Sequence, residues 1–285
     1  MSQVLNELLT LLQLEALDDN LYLGQSQDLG FPALFGGQVI GQALSAAKQT
    51  VDSQRTLHSF HSYFLLPGDA KKPVTYLVDT TRDGKSFSAR RVQAMQNGKV
   101  IFTLMASFQI EESGFEHQDA MPDVTPPEQL LSLEELQLQY KDRIPEQLHS
   151  VVFAERPIEF RPAKDYDWLT PEKSSPSNQV WMRAKSTMPD DLRVHRYLLG
   201  YASDYNFLPT ALHPHGCSMW SPKLQVATID HAMWFHRPFR FDDWLLYDID
   251  SPSASGGRGL VRGKIYNRQG QLVASTIQEG VIRQW

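Results

Sequence analysis

The chain has 285 residues, of which 41% are hydrophobic and 21% charged, and its formal net charge is −6. This is the composition of a globular protein of one large or two small domains, and the acidic balance argues against a general nucleic-acid-binding surface. The single cysteine, Cys217, excludes an internal disulfide and favours a reducing compartment, which we expect to be the cytoplasm.

The N-terminal residues 2–13 form the pattern of an amphipathic helix without a basic segment before it. This is not the pattern of a signal peptide, and since no apolar run approaches 18 residues we expect no membrane span. A short strand at about 20–26 precedes a second helix, which opens at Phe35-Gly36-Gly37. Glycines there allow either close helix packing or the approach of an oxyanion to free N–H groups, and the sequence leaves both open.

Four strands are predicted next from stretches rich in β-branched and aromatic residues, at 57–66, 74–81, 86–96 and 100–110. Asn97-Gly98 joins the last two and favours a type I′ hairpin turn. An acidic, proline-rich linker follows at 111–128, then a helix at about 127–142. A strand near 152–160, a polar loop at 162–178 and a strand at 179–187 complete the middle of the chain.

A long helix is predicted over residues 191–208, where apolar and aromatic residues recur with helical spacing. Carboxylates such as Asp191 can cap its start, and Pro209 is expected to end it. Asp204 falls at the edge of the buried stripe, beside Tyr197. A carboxylate in such a place is either a structural hydrogen-bond acceptor or a catalytic base.

The remainder of the chain is a loop at 212–222, then strands at 225–237, 244–251, 259–267 and 271–283. The second half therefore repeats the order of the first. Residues 61–67 align with 232–238, and residues 88–109 align with 260–281. Laying Gly41 over Gly200 sets Ser45 against Asp204. The alignment predicts an α+β fold with two copies of a long helix wrapped by a twisted antiparallel sheet, the sheets joined edge to edge.

At three positions the second copy has a polar side chain suited to catalysis, where the first copy has a small or apolar one. Asp204 stands against Ser45, and the other two pairs are Thr228 against Leu57 and Gln278 against Ala106. Because their elements must converge on the same helix, we predict that the three side chains share one site.

Several long motifs, FGGQVIGQAL, LHSFHSYFL, PDDLRVHRYLLGYASDYNFLP, TIDHAMWFHRPF and STIQEGVIR among them, resemble the acyl-CoA thioesterase II family. The resemblance implies a tandem (double) hotdog fold, here divided into 1–110, a linker at 111–150, and 151–285 with the catalytic residues. It also implies hydrolysis of fatty acyl-CoA to fatty acid and CoA without cofactor or metal, and assembly as a homodimer or homotetramer. The family's catalytic Asp, Thr and Gln fall on Asp204, Thr228 and Gln278.

These residue types suit direct attack of water on a thioester carbonyl. Asp204 can take a proton near neutral pH, while Thr228 and Gln278 can hold the same water. Gly37 at the helix start is a candidate oxyanion donor that the sequence does not fix. His58 and Arg262 are further candidates for substrate binding, against the alternatives of a core histidine and a solvated arginine.

Other chemistries have weaker patterns. The chain lacks the G-x-S-x-G nucleophile elbow. Cys217 with His215 is a thiol-nucleophile alternative, and His213 with His215 a metal alternative, but neither has a supporting motif. An acyl-CoA hydratase would match Asp204 and Asn206 but needs a histidine where Pro209 stands. A non-catalytic acyl-CoA sensor remains a further class, and the sequence leaves the preferred acyl chain open.

Overall fold

The computed structural model describes residues 2–164, 167, 169–221 and 223–285. Five α-helices are present in these ranges: α1 Gln3–Leu11, α2 Gly36–Gln49, α3 Leu133–Gln139, α4 His149–Val152 and α5 Leu192–Ala202. The strands of the first half are β1 Glu15–Asp18, β2 Leu21–Gly24, β3 Thr56–Phe64, β4 Val74–Asp83, β5 Phe87–Gln96 and β6 Lys99–Gln109. Those that follow are β7 Ile158–Pro162, β8 Ser177–Ala184, β9 Leu224–Thr228, β10 Asp230–Phe235, β11 Leu245–Ser255, β12 Arg258–Asn267 and β13 Leu272–Gln284.

The strands form one antiparallel sheet in the order β1-β2-β4-β5-β6-β3-β10-β13-β12-β11-β8-β7, with β9 paired to β13. The two halves of the sheet meet at β3 and β10, where Phe60 lies opposite Met233 and Ser62 opposite His231. This join confirms the predicted edge-to-edge union of two wrapped-helix units, and the fold is a tandem hotdog. The division at residues 110 and 150 stays a prediction.

Helices α2 and α5 lie against each other in the core inside the sheet. A Cβ on Gly41 would lie 3.4 Å from Tyr201 Cβ and one on Gly200 would lie 2.9 Å from Leu44 Cδ1. The two glycines therefore face the partner helix in equivalent ways, which agrees with their alignment in the sequence. Their missing side chains let the helices approach closely.

The four strands predicted for the first half are confirmed to within two residues at each end. Asn97 and Gly98 have φ values of 50° and 71°, as the predicted hairpin turn requires. The helix predicted over 191–208 is wrong in its last third, because α5 ends at Ala202 and a four-residue turn follows. Asn206 adopts a left-handed φ of 56°, and a 3₁₀ helix over Leu208–His215 follows, which also occupies the start of the loop expected at 212–222. The spacing of Tyr205 and Leu208 continues the stripe although the helix has ended.

Three other predictions need correction. The helix expected at 127–142 is α3 flanked by short 3₁₀ turns, and the strand expected from residue 152 begins only at Ile158, after α4. The strand expected over 225–237 is broken between β9 and β10. Thr228 pairs with Gly280 and Ala232 with Ile277, so four residue steps on one strand face three on the other. This is a β-bulge around Ile229. In the described part of the chain, none of the helices has the length and apolar character needed to cross a membrane.

Candidate active site

A cavity of about 1240 Å³ lies between the two halves of the molecule. Its lining includes Gly36 at the start of α2, Asp204 after α5, Thr228 on β9 and Gln278 on β13. The structure thus brings together the three residues that the duplication singled out, and it does so at the wall of a space large enough for a long ligand.

Asp204 lies in the turn after α5, opposite the first residues of α2. A Cβ on Gly36 would lie 2.7 Å from Asp204 Oδ2, and one on Gly37 would lie 2.2 Å from the carbonyl oxygen of Tyr201. Glycine is therefore required at both positions for α2 to approach this turn. The close packing brings the Gly37 N–H into hydrogen-bonding contact with the Asp204 carboxylate. The packing alternative is therefore observed, whereas the Gly37 N–H is not free because it donates to Asp204, and its role as an oxyanion donor stays a prediction.

Burial raises the pKa of Asp204 to about 6, and desolvation of the charged carboxylate is the largest cause. Hydrogen bonds from the Gly37 N–H and from the Gln278 and Thr228 side chains oppose the rise, because they favour the charged form. The result is a carboxylate that is ionised at neutral pH, yet basic enough to accept a proton during a reaction.

Thr228 and Gln278 are bonded to each other as well as to Asp204. Gln278 Nε2 donates to Thr228 Oγ1 at 2.9 Å, and the Gln278 side chain is buried. The bulge around Ile229 matters here, because residues three apart on a regular strand point to opposite faces. With the extra residue, Thr228 and His231 both contact Gln278 from the same side.

His231 completes this cluster and was not among the residues predicted from the sequence. Its Nδ1 lies 2.6 Å from Gln278 Oε1, and its Nε2 lies 3.0 Å from Ser203 Oγ. Burial lowers the pKa of His231 to about 4, so the ring is neutral at physiological pH. The alignment of residues 61–67 with 232–238, carried one residue back, sets it against Phe60. The comparison of polar residues between the two copies would have found it.

Comparison with known proteins agrees with this architecture. A sequence profile described as "Acyl-CoA thioesterase" matches residues 149–281, and one described as "Acyl-CoA thioesterase N-terminal domain" matches residues 26–109. The chain is 45% identical to acyl-CoA thioesterase 2 of Haemophilus influenzae, over 99% of both proteins. The chain belongs to the acyl-CoA thioesterase family.

Two further relatives extend the comparison. Human acyl-coenzyme A thioesterase 8 is 43% identical over 96% of this chain and 88% of its own length. The crystal structure of an acyl-CoA thioesterase II from Mycobacterium marinum superposes with a TM-score of 0.80, at 43% identity and 98% coverage of both chains. As a member of this family the chain is a thioester hydrolase.

The wall of the thioesterase cavity changes character from one side to the other. The first half and the linker contribute mainly apolar side chains, among them Phe31, Leu34, Phe64, Leu66 and Leu136. The second half contributes apolar side chains such as Trp220 and Val226, and also polar ones: Ser174, Ser175, Ser177, Asn178 and His213. An amphipathic ligand fits such a lining, with its apolar part toward the first half.

Two of the predicted substrate-binding residues lie elsewhere. His58 Nε2 is 2.8 Å from Ser107 Oγ on the neighbouring strand, and Arg262 Nη2 is 2.6 Å from Asp250 Oδ2 at the surface. Neither lines the cavity, and their role in substrate binding stays a prediction. The Cys217 thiol donates to the backbone carbonyl oxygen of His215, with Sγ and O 3.6 Å apart. Within the described ranges no group of three or more metal-ligating side chains is found.

Proposed function

We propose that this thioesterase hydrolyses fatty acyl-CoA by direct attack of water on the thioester carbonyl, with Asp204 as the general base. The observation that carries the proposal is a largely buried carboxylate with a pKa of about 6, bonded to Gln278 and Thr228 at the wall of a largely apolar cavity. The apolar wall suits an acyl chain, and the adjoining carboxylate suits the reacting carbon.

In the proposed reaction Asp204 accepts a proton from water as the water oxygen bonds to the thioester carbon. The carbonyl electrons move to the oxygen, and the positive end of α2, whose first residue Gly36 lines the cavity, stabilises the charge that develops there. When the tetrahedral intermediate collapses, the C–S bond breaks. The proton held by Asp204 passes to the departing sulfur, which leaves a fatty acid and free CoA. Thr228 and Gln278 hold the water and the Asp204 carboxylate in position relative to each other.

Asp204→Asn tests the base directly. The amide keeps the shape of the side chain but cannot take the proton, so kcat should fall roughly 10²-fold or more. Release of thiol from palmitoyl-CoA measures turnover. Equilibrium binding of a non-hydrolysable thioether analogue measures the affinity of the cavity for its ligand, which should not change. The matched control is Ser45→Ala in the first half, where kcat should stay within about twofold. A folded Asp204→Asn enzyme with near-normal kcat would refute the assignment.

Heavy-oxygen water separates the base from a nucleophile. In a single turnover with enzyme in excess, the label should enter the fatty acid and leave the Asp204 carboxylate unlabelled, as mass analysis of the peptide would reveal. Label in Asp204 would mean that the carboxylate attacks the thioester itself and forms an anhydride that water opens at the enzyme carbon.

We also propose that the thioesterase assembles as a homodimer or homotetramer. Large apolar side chains are exposed on the first half, among them Tyr63 at 53% and Leu65 at 52%. In the described ranges, β1 and β7 each pair with one strand only, which leaves the sheet with open edges. Light scattering coupled to size exclusion should give a mass of two or four chains. A species near 32.5 kDa that does not change with concentration would contradict the proposal.

A further inference from the structure

His231 is a buried, neutral side chain that the proposed reaction does not use. It lies between the aromatic rings of Phe60 and Phe207, at centroid distances of 5.8 Å from each. Ser203 and Gln278 are bonded to its two ring nitrogens. The ring thus contacts two aromatic side chains and two polar partners, and the second polar partner, Gln278, is bonded to Asp204.

The amide of Gln278 has a donor end and an acceptor end, and the two are not equivalent at this site. Its Nε2 faces Thr228 Oγ1 and the Asp204 carboxylate, while its Oε1 faces His231. An ionised carboxylate is an acceptor only. If the amide were reversed, its oxygen would face that carboxylate and the donor that stabilises the charge would be lost. The Oε1 end of the amide therefore has to be held in place so that Nε2 can donate to the Asp204 carboxylate.

The ring of His231 can hold the amide only in one tautomer. Gln278 Oε1 needs a donor, so the single proton of the neutral ring must be on Nδ1 and Nε2 must accept. The hydroxyl of Ser203 supplies that donor at 3.0 Å. The same hydroxyl is also 3.0 Å from the carbonyl oxygen of Gly200, so its one proton has two acceptors. Donation to His231 is the choice that matches the active orientation of Gln278.

We propose that His231 is a positioning residue, which with Ser203 locks the Gln278 amide so that its nitrogen faces Asp204. The proposal rests on the proposed function, in which Asp204 is the base. The internal duplication supports it independently. Counterparts of Ser203, His231 and Gln278 in the first half are Leu44, Phe60 and Ala106, so the whole chain of hydrogen bonds is absent from the copy without the carboxylate. Phe60 lies opposite Ala106 on neighbouring strands of the first half, as His231 contacts Gln278 in the second.

The groups around Asp204 determine what the loss of His231 should change. The Gly37 N–H, Thr228 and Gln278 contact the carboxylate, and the hydroxyls of Tyr205 and Tyr247 interact with it electrostatically. Of these, only Gln278 is bonded to His231. Removing the ring should therefore affect Asp204 only through Gln278. Because the hydrogen bond from Gln278 lowers the pKa of the carboxyl, its loss should raise that pKa.

The test is His231→Phe, which keeps the ring and removes both hydrogen bonds. We expect kcat to fall about tenfold or more with KM within about threefold. The acid limb of kcat/KM should shift to higher pH by half a unit or more, because the carboxylate loses the oriented donor. His231→Asn, whose amide nitrogen takes the place of Nδ1, should restore kcat to within about threefold of wild type and return the acid limb.

The matched control is His195→Phe on α5. His195 is equally buried and is bonded to the carbonyl oxygen of Pro189 and the N–H of Phe241. This variant should lower the melting temperature and leave the acid limb in place. If His231→Phe and His195→Phe changed kcat alike, with no pH shift and no recovery in His231→Asn, the role of His231 would be structural.

Gln278→Ala separates this proposal from the reaction it rests on. Normal turnover in Gln278→Ala would overturn the proposed function, whereas a loss there with normal turnover in His231→Phe would overturn the positioning role alone. The native protein gives a test that needs no folded variant. Nitrogen-15 spectra of labelled histidine should show the His231 proton on Nδ1, and a proton on Nε2 would overturn the proposal.

Discussion

The two halves of the molecule share one fold but differ in how their equivalent positions are filled. After α5 and on β9, β10 and β13, the second half has Ser203, Asp204, Thr228, His231 and Gln278, all connected by hydrogen bonds. The corresponding positions of the first half are Leu44, Ser45, Leu57, Phe60 and Ala106. A buried polar network is favourable only when every member has a partner. The pair of copies shows both stable solutions, a complete network and an apolar core with a single serine.

The largest effect is expected when the second half is made like the first. Thr228→Val combined with Gln278→Ala removes two hydrogen-bond partners of Asp204 and leaves His231 without Gln278, so stability should fall as well. Turnover should fall about 10²-fold, since the carboxylate loses two donors. Steady-state release of thiol measures it.

The control for this double variant lies in the first half. Thr50→Val with Gln96→Ala removes the same types of side chain, where Thr50 is bonded to Arg90 and Gln96 to the Asp69 backbone. Stability should fall there while kcat stays within about twofold. Equal losses of turnover in both double variants would mean that the difference between the halves has no bearing on catalysis.

Features that depend on local sequence could be predicted, whereas those that depend on contacts with distant strands could not. Periodicity and the Asn97-Gly98 turn define strands, and comparison of the copies pointed to Asp204, Thr228 and Gln278. The bulge at Ile229 was invisible, because residues 227–235 alternate as one strand would and register depends on β13. The end of α5 is not predicted because Tyr205 and Leu208 continue the helical spacing past Ala202, where the chain turns. His58 and Arg262 had suitable chemistry, but their distance from the cavity depends on the whole sheet.

An ionised carboxylate should destabilise the fold in either half, so removing it from the second half and adding it to the first should change stability in opposite directions. The pKa of Asp204 is raised from 3.8 to about 6, so the unfolded chain loses this proton first and stability falls as pH rises through that range. Above pH 6 the deficit is complete, and Asp204→Asn should stabilise the fold by up to about 3 kcal/mol. At pH 4 only a small part of the gain should remain, and well below the unfolded pKa of 3.8 it should vanish. Ser45→Asp, which places a carboxyl at a buried position of the first half, should destabilise it.

Urea unfolding at pH 8 and pH 4 measures both variants against wild type. The difference between Asp204→Asn and wild type isolates this carboxyl from the opposite effect of His231, whose lowered pKa makes stability fall as pH drops below 6.5. A stability gain of the same size at both pH values would show that the variant acts through packing and not through the buried charge.

Chain-length preference should depend on the first half and the linker, although the carboxylate belongs to the second. Leu136 on α3 lines the apolar wall, and Leu138 on the same helix is 59% exposed. Leu136→Trp should lower kcat/KM for palmitoyl-CoA about tenfold and leave hexanoyl-CoA within about threefold, because the larger ring shortens the apolar space. Leu138→Trp is the control and should change neither. A uniform loss over all chain lengths would place the acyl chain along another wall.

The smallest effect is expected at Cys217, the single cysteine of the chain and the thiol-nucleophile alternative. Its thiol faces a backbone carbonyl and does not line the cavity. A nucleophilic cysteine needs an aligned base or a nearby positive charge to form the thiolate. Cys217→Ser should therefore keep kcat within about twofold. Intact-mass measurement after rapid quenching should find no acyl adduct on either protein. An acyl group trapped on Cys217, or on any other residue, would replace direct water attack by a two-step mechanism, and the polar network around Asp204 would then serve deacylation.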